Sequence, residues 1–262
     1  MLNYKDRINH NFSKAAPDYD REAVFQKEMA RLLAETIKND NPNADSILDL
    51  GTGTGFLIDK ISNIYPKAKI YGLDIASGMV ETAANKFKDN KNISIIEGDI
   101  EALPFSENSF DLIISNASLQ WLKDLKRAFK GINKILKKEG YLYANIFGER
   151  TFGELRSSME SMDLTYPFNF TEKNNLRDIL KETGFTFQIH TEFFYKYYPD
   201  LMTFLKKVKE IGAGNISRVK NNLGQRKFLN DLEKEYISKY ADKNGLKVTY
   251  EIINLKAEKS NG

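Results

Sequence analysis

The chain has 262 residues, with 39 Lys and Arg against 36 Asp and Glu and a formal net charge of +3. At 41% hydrophobic and 29% charged residues it holds enough apolar material to offset chain entropy, which excludes disorder as its main state. It has no cysteine and two histidines, His10 and His190, which excludes disulfides, thiolate metal sites and cysteine nucleophiles and argues against a multi-histidine metal site.

A surplus of +3 is too weak to argue for nucleic acid, and no stretch approaches the ~18 apolar residues of a membrane span. The N-terminal residues Met1–Lys14 are polar and charged, unlike a secretory signal, so a cytoplasmic location is expected.

Residues 1–20 are polar and carry turn formers, including Pro17. From Asp20 a helical pattern begins, with Val24, Phe25, Met29, Leu32, Leu33 and Ile37 on one face and Asn39, Asn41, Pro42 and Asn43 as its stop. Short apolar runs then alternate with amphipathic segments. Ser46–Leu50 reads as a strand ending in the loop Gly51-Thr52-Gly53-Thr54-Gly55, followed by a helix to about Ile64. Strand Lys69–Ile75, helix Gly78–Lys88, strand Ile93–Ile96 and strand Phe110–Ser115 come next. Leu122, Leu125, Phe129, Ile132 and Leu136 mark one face of a helix that Gly140 stops, and Tyr141–Phe147 is a fifth strand.

Such alternation implies βαβ units, hence a parallel sheet with right-handed crossovers and helices on both faces. Later, Thr171–Thr183 reads as a helix with Thr171 as N-cap and Gly184 as stop. Thr186–Tyr198 is strand-like, residues 200–242 hold Lys-rich helices interrupted by Gly212 and Gly214, and the alternation of Leu246, Val248, Tyr250 and Ile252 marks a last strand. The expected fold is therefore α/β, a doubly wound, seven-stranded, mostly parallel sheet in one domain. Its core spans 40–148, an N-terminal cap covers 1–39, and inserts at 149–170 and 200–242 join that cap as a lid over the strand ends.

In open α/β sheets ligands bind beyond the carboxyl ends of the strands, near the switch point. The glycine loop lies there, and Gly51, Gly53 and Gly55 allow positive φ and close backbone approach. Asp49 precedes the loop, and Asp74 ends the second strand nineteen residues after Gly55, where an acid accepts from ribose hydroxyls. Asp99 ends the third strand, and Asn116 follows the fourth and offers an amide to the same crevice. A dinucleotide would bring its pyrophosphate close to Asp49. S-adenosylmethionine has no phosphate and carries two cations, an ammonium and a sulfonium. Opposite charges attract by ~4 kcal/mol at 4 Å with an effective dielectric constant of about 20. An acid beside the loop therefore suits S-adenosylmethionine better than NAD, and the G-x-G-x-G spacing departs from the dinucleotide fingerprint.

Asp49-Leu-Gly-Thr-Gly-Thr-Gly55, Leu73-Asp-Ile-Ala76, Gly98-Asp-Ile100 and Ile114-Ser-Asn116 together resemble the class I S-adenosylmethionine-dependent methyltransferases, with their Rossmann-like fold. That resemblance implies that Asp49 and the loop hold the methionine part, that Asp74 takes the ribose hydroxyls, that Ile75 and Ile100 flank adenine and that Asp99 accepts from its amino group. The flanking segments Phe12-Ser-Lys-Ala-Ala-Pro-Asp-Tyr-Asp20 with Gln26, Ser115-Asn-Ala-Ser-Leu-Gln-Trp121, Thr151-Phe-Gly-Glu-Leu155 and Lys209-Glu-Ile-Gly-Ala213 are similar to the malonyl-acyl-carrier-protein O-methyltransferases of biotin synthesis. The loop departs from the Gly-Cys-Gly common there.

Membership implies methyl transfer to the free carboxylate of a malonyl thioester, with S-adenosylhomocysteine as the second product and no metal. The ester hides a charge, so fatty-acid synthesis enzymes can extend the chain towards pimeloyl. A carboxylic acid with a pKa near ~4 is already a nucleophile at neutral pH and needs no general base. An arginine is expected to recognise it, because its fork pairs bidentately with carboxylates. Arg150, after the fifth strand, is the first candidate and Arg218, in the insert, the second, with Tyr19 and Trp121 as pocket walls. Lys206, Lys207, Lys209, Arg218, Lys220, Arg226 and Lys227 give the insert a basic face suited to an acidic acyl carrier protein. Neither a nucleic acid nor a membrane is an expected partner. Other readings stay open: a methyltransferase of another small acceptor such as a quinone precursor or a carboxylic acid, and a non-catalytic nucleoside-binding regulator. An amino-methylating DNA enzyme is disfavoured, because Ala-Ser rather than Pro-Pro-aromatic follows Asn116.

Overall fold

The computed structural model describes residues 3–213 and 223–260. The chain begins with helix α1 (Tyr4–Glu22). Asn3 opens it with a reciprocal cap: its side chain accepts from the Asp6 backbone, and the Asp6 carboxylate accepts from the Asn3 backbone. The sequence pattern predicts turns here, in part because of Pro17, yet Pro17 sits inside the helix. Apolar side chains are sparse in α1, with only Ile8 and Ala16 fully buried, so its helical period is faint. At Ala23 the backbone leaves helical geometry, and α2 (Val24–Asp40) starts afresh. Asn41, in the left-handed conformation at φ 47°, closes α2 near the expected Asn-Pro-Asn stop.

The alternating core follows the sequence reading closely: β1 (Ser46–Leu50), α3 (Phe56–Ile64), β2 (Lys69–Asp74), α4 (Ser77–Phe87), β3 (Ile93–Glu97), β4 (Phe110–Asn116), α5 (Leu125–Ile135) and β5 (Leu136–Phe147). Asp124 caps α5, accepting from the Arg127 backbone at 2.8 Å. Gly140 is not the stop of α5, which ends five residues earlier. Residues 136–140 belong to the start of β5, where the register against β4 shifts between Phe110 and Leu112.

The remaining elements are α6 (Gly153–Glu160), α7 (Lys173–Glu182), β6 (Phe185–Tyr198), α8 (Leu201–Glu210), α9 (Leu223–Tyr240), β7 (Ala241–Asp242) and β8 (Gly245–Lys259). Thr171 does not cap α7, whose N-cap is Glu172; it bridges Gly148 instead.

The sheet runs β3-β2-β1-β4-β5-β8-β6, with the two-residue β7 paired to β8 as an eighth strand. The expected seven strands thus form the continuous sheet, and the eighth is too short to show an alternation. Strands β1 to β5 pair in parallel, and β8 is antiparallel to both of its neighbours. The chain steps outward from β1 to β3 and returns to place β4 beside β1. That reversal opens a crevice at the carboxyl ends of β1 and β4.

Successive residues of the inner strands are apolar because both faces are covered. Ile47, Ile70, Leu112 and Ile114 face α2 and α3 through Leu33, Ile37, Ile58 and Ile61. Leu48, Leu73 and Ile113 face α5 and α7 through Phe129, Ile132, Leu176 and Leu180. A third cluster joins α6, α8, α9 and the start of β8, with Phe152, Leu155, Phe204, Val208, Tyr236 and Val248 packed together. Two polar ties hold α9 to α8 and to β8. Glu233 accepts from the Leu201 backbone at 2.9 Å, and Tyr236 donates to the Lys247 carbonyl at 2.7 Å.

Candidate active site

A cleft of about 1020 Å³, its open mouth included, lies over the carboxyl ends of β1, β2, β3 and β4. Its floor is Asp49, the glycine loop, Asp74, Ile75, Asp99, Ile100 and Asn116; its roof is α1, through Tyr4, Lys5, Ile8, Phe12 and Tyr19. Every cofactor residue expected from the sequence lines this cleft except Gly55, which caps α3.

The loop owes its shape to its partners. Gly51 and Thr52 both donate backbone N–H to the Leu73 carbonyl, and Gly53 donates to Asp74 Oδ2 at 2.8 Å. Gly51 has φ +72°, and a Cβ there would stand 2.2 Å from Ser118 Oγ, whereas a Cβ on Gly53 (φ +55°) meets nothing within 4 Å. Gly51→Ala is therefore expected to cost about 2 kcal/mol or more, and Gly53→Ala only the left-handed backbone penalty of about 1–2 kcal/mol. Thermal melting of the two variants checks this; equal losses would contradict it.

Asp49 is 1% exposed. Its Oδ2 accepts from Thr52 Oγ1 at 2.9 Å, while its Oδ1 is buried without a protein partner among the described residues. Burial pushes its carboxyl up to about 7, the nearby Asp74 adds to the rise, and the Thr52 hydroxyl partly offsets it. Asp74 is raised as well, by burial, against the opposing backbone N–H groups of Ala76, Gly53 and Ile75. Two acids held in one crevice, one with an unmet acceptor, form a site that a cation would complete.

At the other end of the cleft, Lys5 of α1 donates to Asp99 Oδ2 at 2.5 Å and pairs with Glu101. Asp20 of α1 accepts from Thr54 Oγ1 at 2.6 Å. The N-terminal helix is thus tied to the loop and to the end of β3. Lys5 carries no signal in the sequence, because its segment has the composition of turns. The Asn3-x-x-Asp6 cap is the available clue to a helix there.

Asn116 differs from its expected role. It lines the cleft, but its Nδ2 donates to the Gln26 carbonyl at 3.0 Å and its Oδ1 accepts from Asn145 at 3.3 Å, so its amide anchors α2. Behind the cleft lies a second chamber of about 410 Å³ that shares Phe12, Tyr19, Gln26, Ala117 and Trp121 with it. Phe147, Phe152, Phe168, Phe170 and Tyr250 give the chamber aromatic walls. Trp121 meets Phe12 edge-on at 5.6 Å between the two spaces. Burial raises the Tyr19 pKa, with Asp74 and Asp20 adding to the rise, so its hydroxyl stays protonated and a donor at neutral pH.

Arg150 stands away from its expected place on the rim, which corrects the sequence reading. It lines neither space; its guanidinium lies over the Phe193 ring at 5.8 Å on the exposed sheet edge, and its backbone N–H donates to Glu251. The turn after β5 directs it outward. Arg218 falls outside the described residues, as do Gly214 and Lys220, and the Arg226 side chain is likewise undescribed. The basic face of the insert is partly neutralised: Lys207 pairs with Glu22 and Glu210, and Lys206 pairs with Glu210. Among the described residues no group of three or more His, Cys, Asp or Glu could hold a metal, and no helix is long and apolar enough to cross a membrane.

Comparison with known proteins agrees with this geometry. Residues 48–144 match the model of a methyltransferase domain. Among solved structures, a putative methyltransferase from Bacillus halodurans superposes with a TM-score of 0.63 at 17% identity, covering 87% of this chain and 99% of its own. A possible histamine N-methyltransferase from Thermotoga maritima gives 0.58 at 19% identity, covering 97% and 100%. These likenesses share the fold, a class I methyltransferase α/β fold, which defines the class of the protein.

The relatives narrow it further. Malonyl-[acyl-carrier protein] O-methyltransferase 1 of Ilyobacter polytropus is 35% identical over 97% of this chain and 95% of its own length. The Priestia megaterium protein of the same designation is 33% identical over the whole of both chains. The chain belongs to the malonyl-[acyl-carrier protein] O-methyltransferase family.

Proposed function

We propose that this protein transfers the methyl group of S-adenosylmethionine to the free carboxylate of a malonyl thioester carried on acyl carrier protein, in the cytoplasm, and so primes pimeloyl assembly for biotin. The observation that carries the cofactor reading is the buried Asp49 with its unmet Oδ1 at the switch point. The donor set fits: Asp49 would hold the ammonium, Asp74 the ribose hydroxyls, Ile75 and Ile100 the adenine faces, and Asp99 its amino group. When bound, S-adenosylmethionine supplies a methyl carbon made electrophilic by a sulfonium.

The chain's own residues align and desolvate. The aromatic chamber beyond Trp121 strips water from the acceptor carboxylate, which is ionised at neutral pH and needs no base. Tyr19 and Trp121 stand where the two spaces meet, and the Tyr19 hydroxyl is a donor available to the acceptor. Holding two reactants in line contributes roughly 7–11 kcal/mol in well-oriented systems. Arg218 is the candidate partner of the malonyl carboxylate. Arg218→Ala is expected to raise the KM for the thioester while leaving S-adenosylhomocysteine affinity unchanged.

The aromatic walls also favour a second reading, a neutral ring acceptor such as a quinone precursor. A side-by-side assay separates the two. Labelled methyl is expected on malonyl-carrier protein or malonyl-CoA in a base-labile linkage. Transfer to a quinone precursor and not to either thioester would reject the malonyl reading.

A further inference from the structure

The first turn of α1 places the Lys5 ammonium at the end of the cleft beside β3. Lys5 reaches 94 residues along the chain to Asp99 Oδ2 at 2.5 Å and pairs also with Glu101. Glu101 is buried, and its Oε1 accepts from the Asp124 backbone at 2.6 Å, which fixes it against the start of α5. Asp99 Oδ1 accepts from the Glu101 backbone at 2.9 Å. Both oxygens of Asp99 therefore have one fixed partner each, which leaves their remaining lone pairs for a ligand in the cleft. Without Lys5, two carboxylates two residues apart would repel each other, and Oδ2 would lose its anchor. Burial works against the Lys5 ammonium, but the two carboxylates outweigh it and raise its pKa, so it is charged at any physiological pH.

A carboxylate in fixed orientation distinguishes a 6-amino purine from a 6-oxo purine. The amino group donates to it, whereas the oxo group sets one acceptor against another. We infer that Lys5 is a positioning residue for the purine readout: it holds Asp99 in the orientation that selects the adenine amino group, and so makes the N-terminal helix part of cofactor specificity. The inference rests on the assignment of Asp99 to that amino group. It concerns α1, which the core motifs of the sequence do not include.

Calorimetry on the full chain tests it, with S-adenosylhomocysteine and its 6-oxo analogue S-inosylhomocysteine as ligands and Lys5→Ala and Lys5→Arg as variants. Wild type is expected to prefer the adenosyl ligand. Lys5→Ala is expected to weaken that ligand about tenfold and the inosyl ligand less than about twofold, so the preference shrinks; Lys5→Arg keeps it. Thermal melting of each variant confirms that it is folded. A Lys5→Ala variant that weakens both ligands equally, or keeps the wild-type preference, would overturn the role of Lys5 and leave Asp99 in place. A wild type that binds both ligands alike would overturn the Asp99 assignment and the inference with it.

Discussion

Replacing Asp74 with alanine is expected to weaken S-adenosylhomocysteine by at least about 100-fold, the largest binding effect of any single substitution in the cleft. Two losses combine. Asp74 Oδ2 accepts from the Gly53 backbone and Oδ1 from the Ala76 backbone, each at 2.8 Å, so the carboxylate shapes the glycine loop and the entry to α4. The same carboxylate is the proposed acceptor for two ribose hydroxyls. Hydrogen bonds to a charged group contribute roughly 1.5–3 kcal/mol each, and two such bonds account for the expected factor. Asp74→Asn keeps the shape but has one acceptor oxygen, so it is expected to fall between wild type and alanine. Calorimetry with the three proteins checks the order; an alanine variant of unchanged affinity would remove Asp74 from the ribose role.

Asp49→Asn is expected to move stability and binding in opposite directions. The Asp49 carboxyl is raised from 3.8 to about 7, mainly by burial. In the unfolded chain it ionises near its ordinary value, while in the fold it holds its proton until about pH 7. The unfolded state therefore binds fewer protons between those limits, and the contribution of Asp49 to stability falls as pH rises through them. Above pH 7 the free protein carries a buried charge. Its cost is about 1.4 kcal/mol for each pH unit between the unfolded and folded ionisation points, roughly 4 kcal/mol at most. Asparagine removes that charge, so the unliganded variant is expected to melt at a higher temperature than wild type at pH 8. The cationic ligand needs the ionised form. Its affinity for wild type is expected to fall about tenfold per pH unit below 7. The asparagine variant is expected to bind weakly with a flat pH profile. A variant that melts lower than wild type and keeps the same pH dependence of binding would contradict both halves of this account.

The residues legible in the sequence are those whose local pattern and function coincide. Ser46–Leu50 is a strand in sequence and structure alike, because a buried parallel strand is a continuous apolar run and the glycine loop ends it abruptly. Asp49, Asp74 and Asp99 sit at strand ends, where the topology brings residues distant in sequence to one rim, and the alternation of strands with helices implies that topology.

What is not legible depends on tertiary partners. Lys5 acquires its role only when α1 folds over Asp99, and α1 itself has few buried side chains to announce it. Asn116 stands on the rim, yet its amide is taken by the Gln26 carbonyl of a helix that no spacing rule places there. Arg150 follows a strand end as a ligand residue would, but the backbone turn carries it across to Phe193. Gln120 and Phe168 both line the inner chamber although they lie far apart in sequence, a juxtaposition with no periodic signature.

Calorimetric titration of the intact protein at pH 8 with S-adenosylhomocysteine, and separately with a nicotinamide dinucleotide, tests the central claim most directly. A site built around Asp49 and Asp74 predicts tight uptake of the first and no heat from the second. Strong binding of the dinucleotide together with indifference to S-adenosylhomocysteine would contradict it.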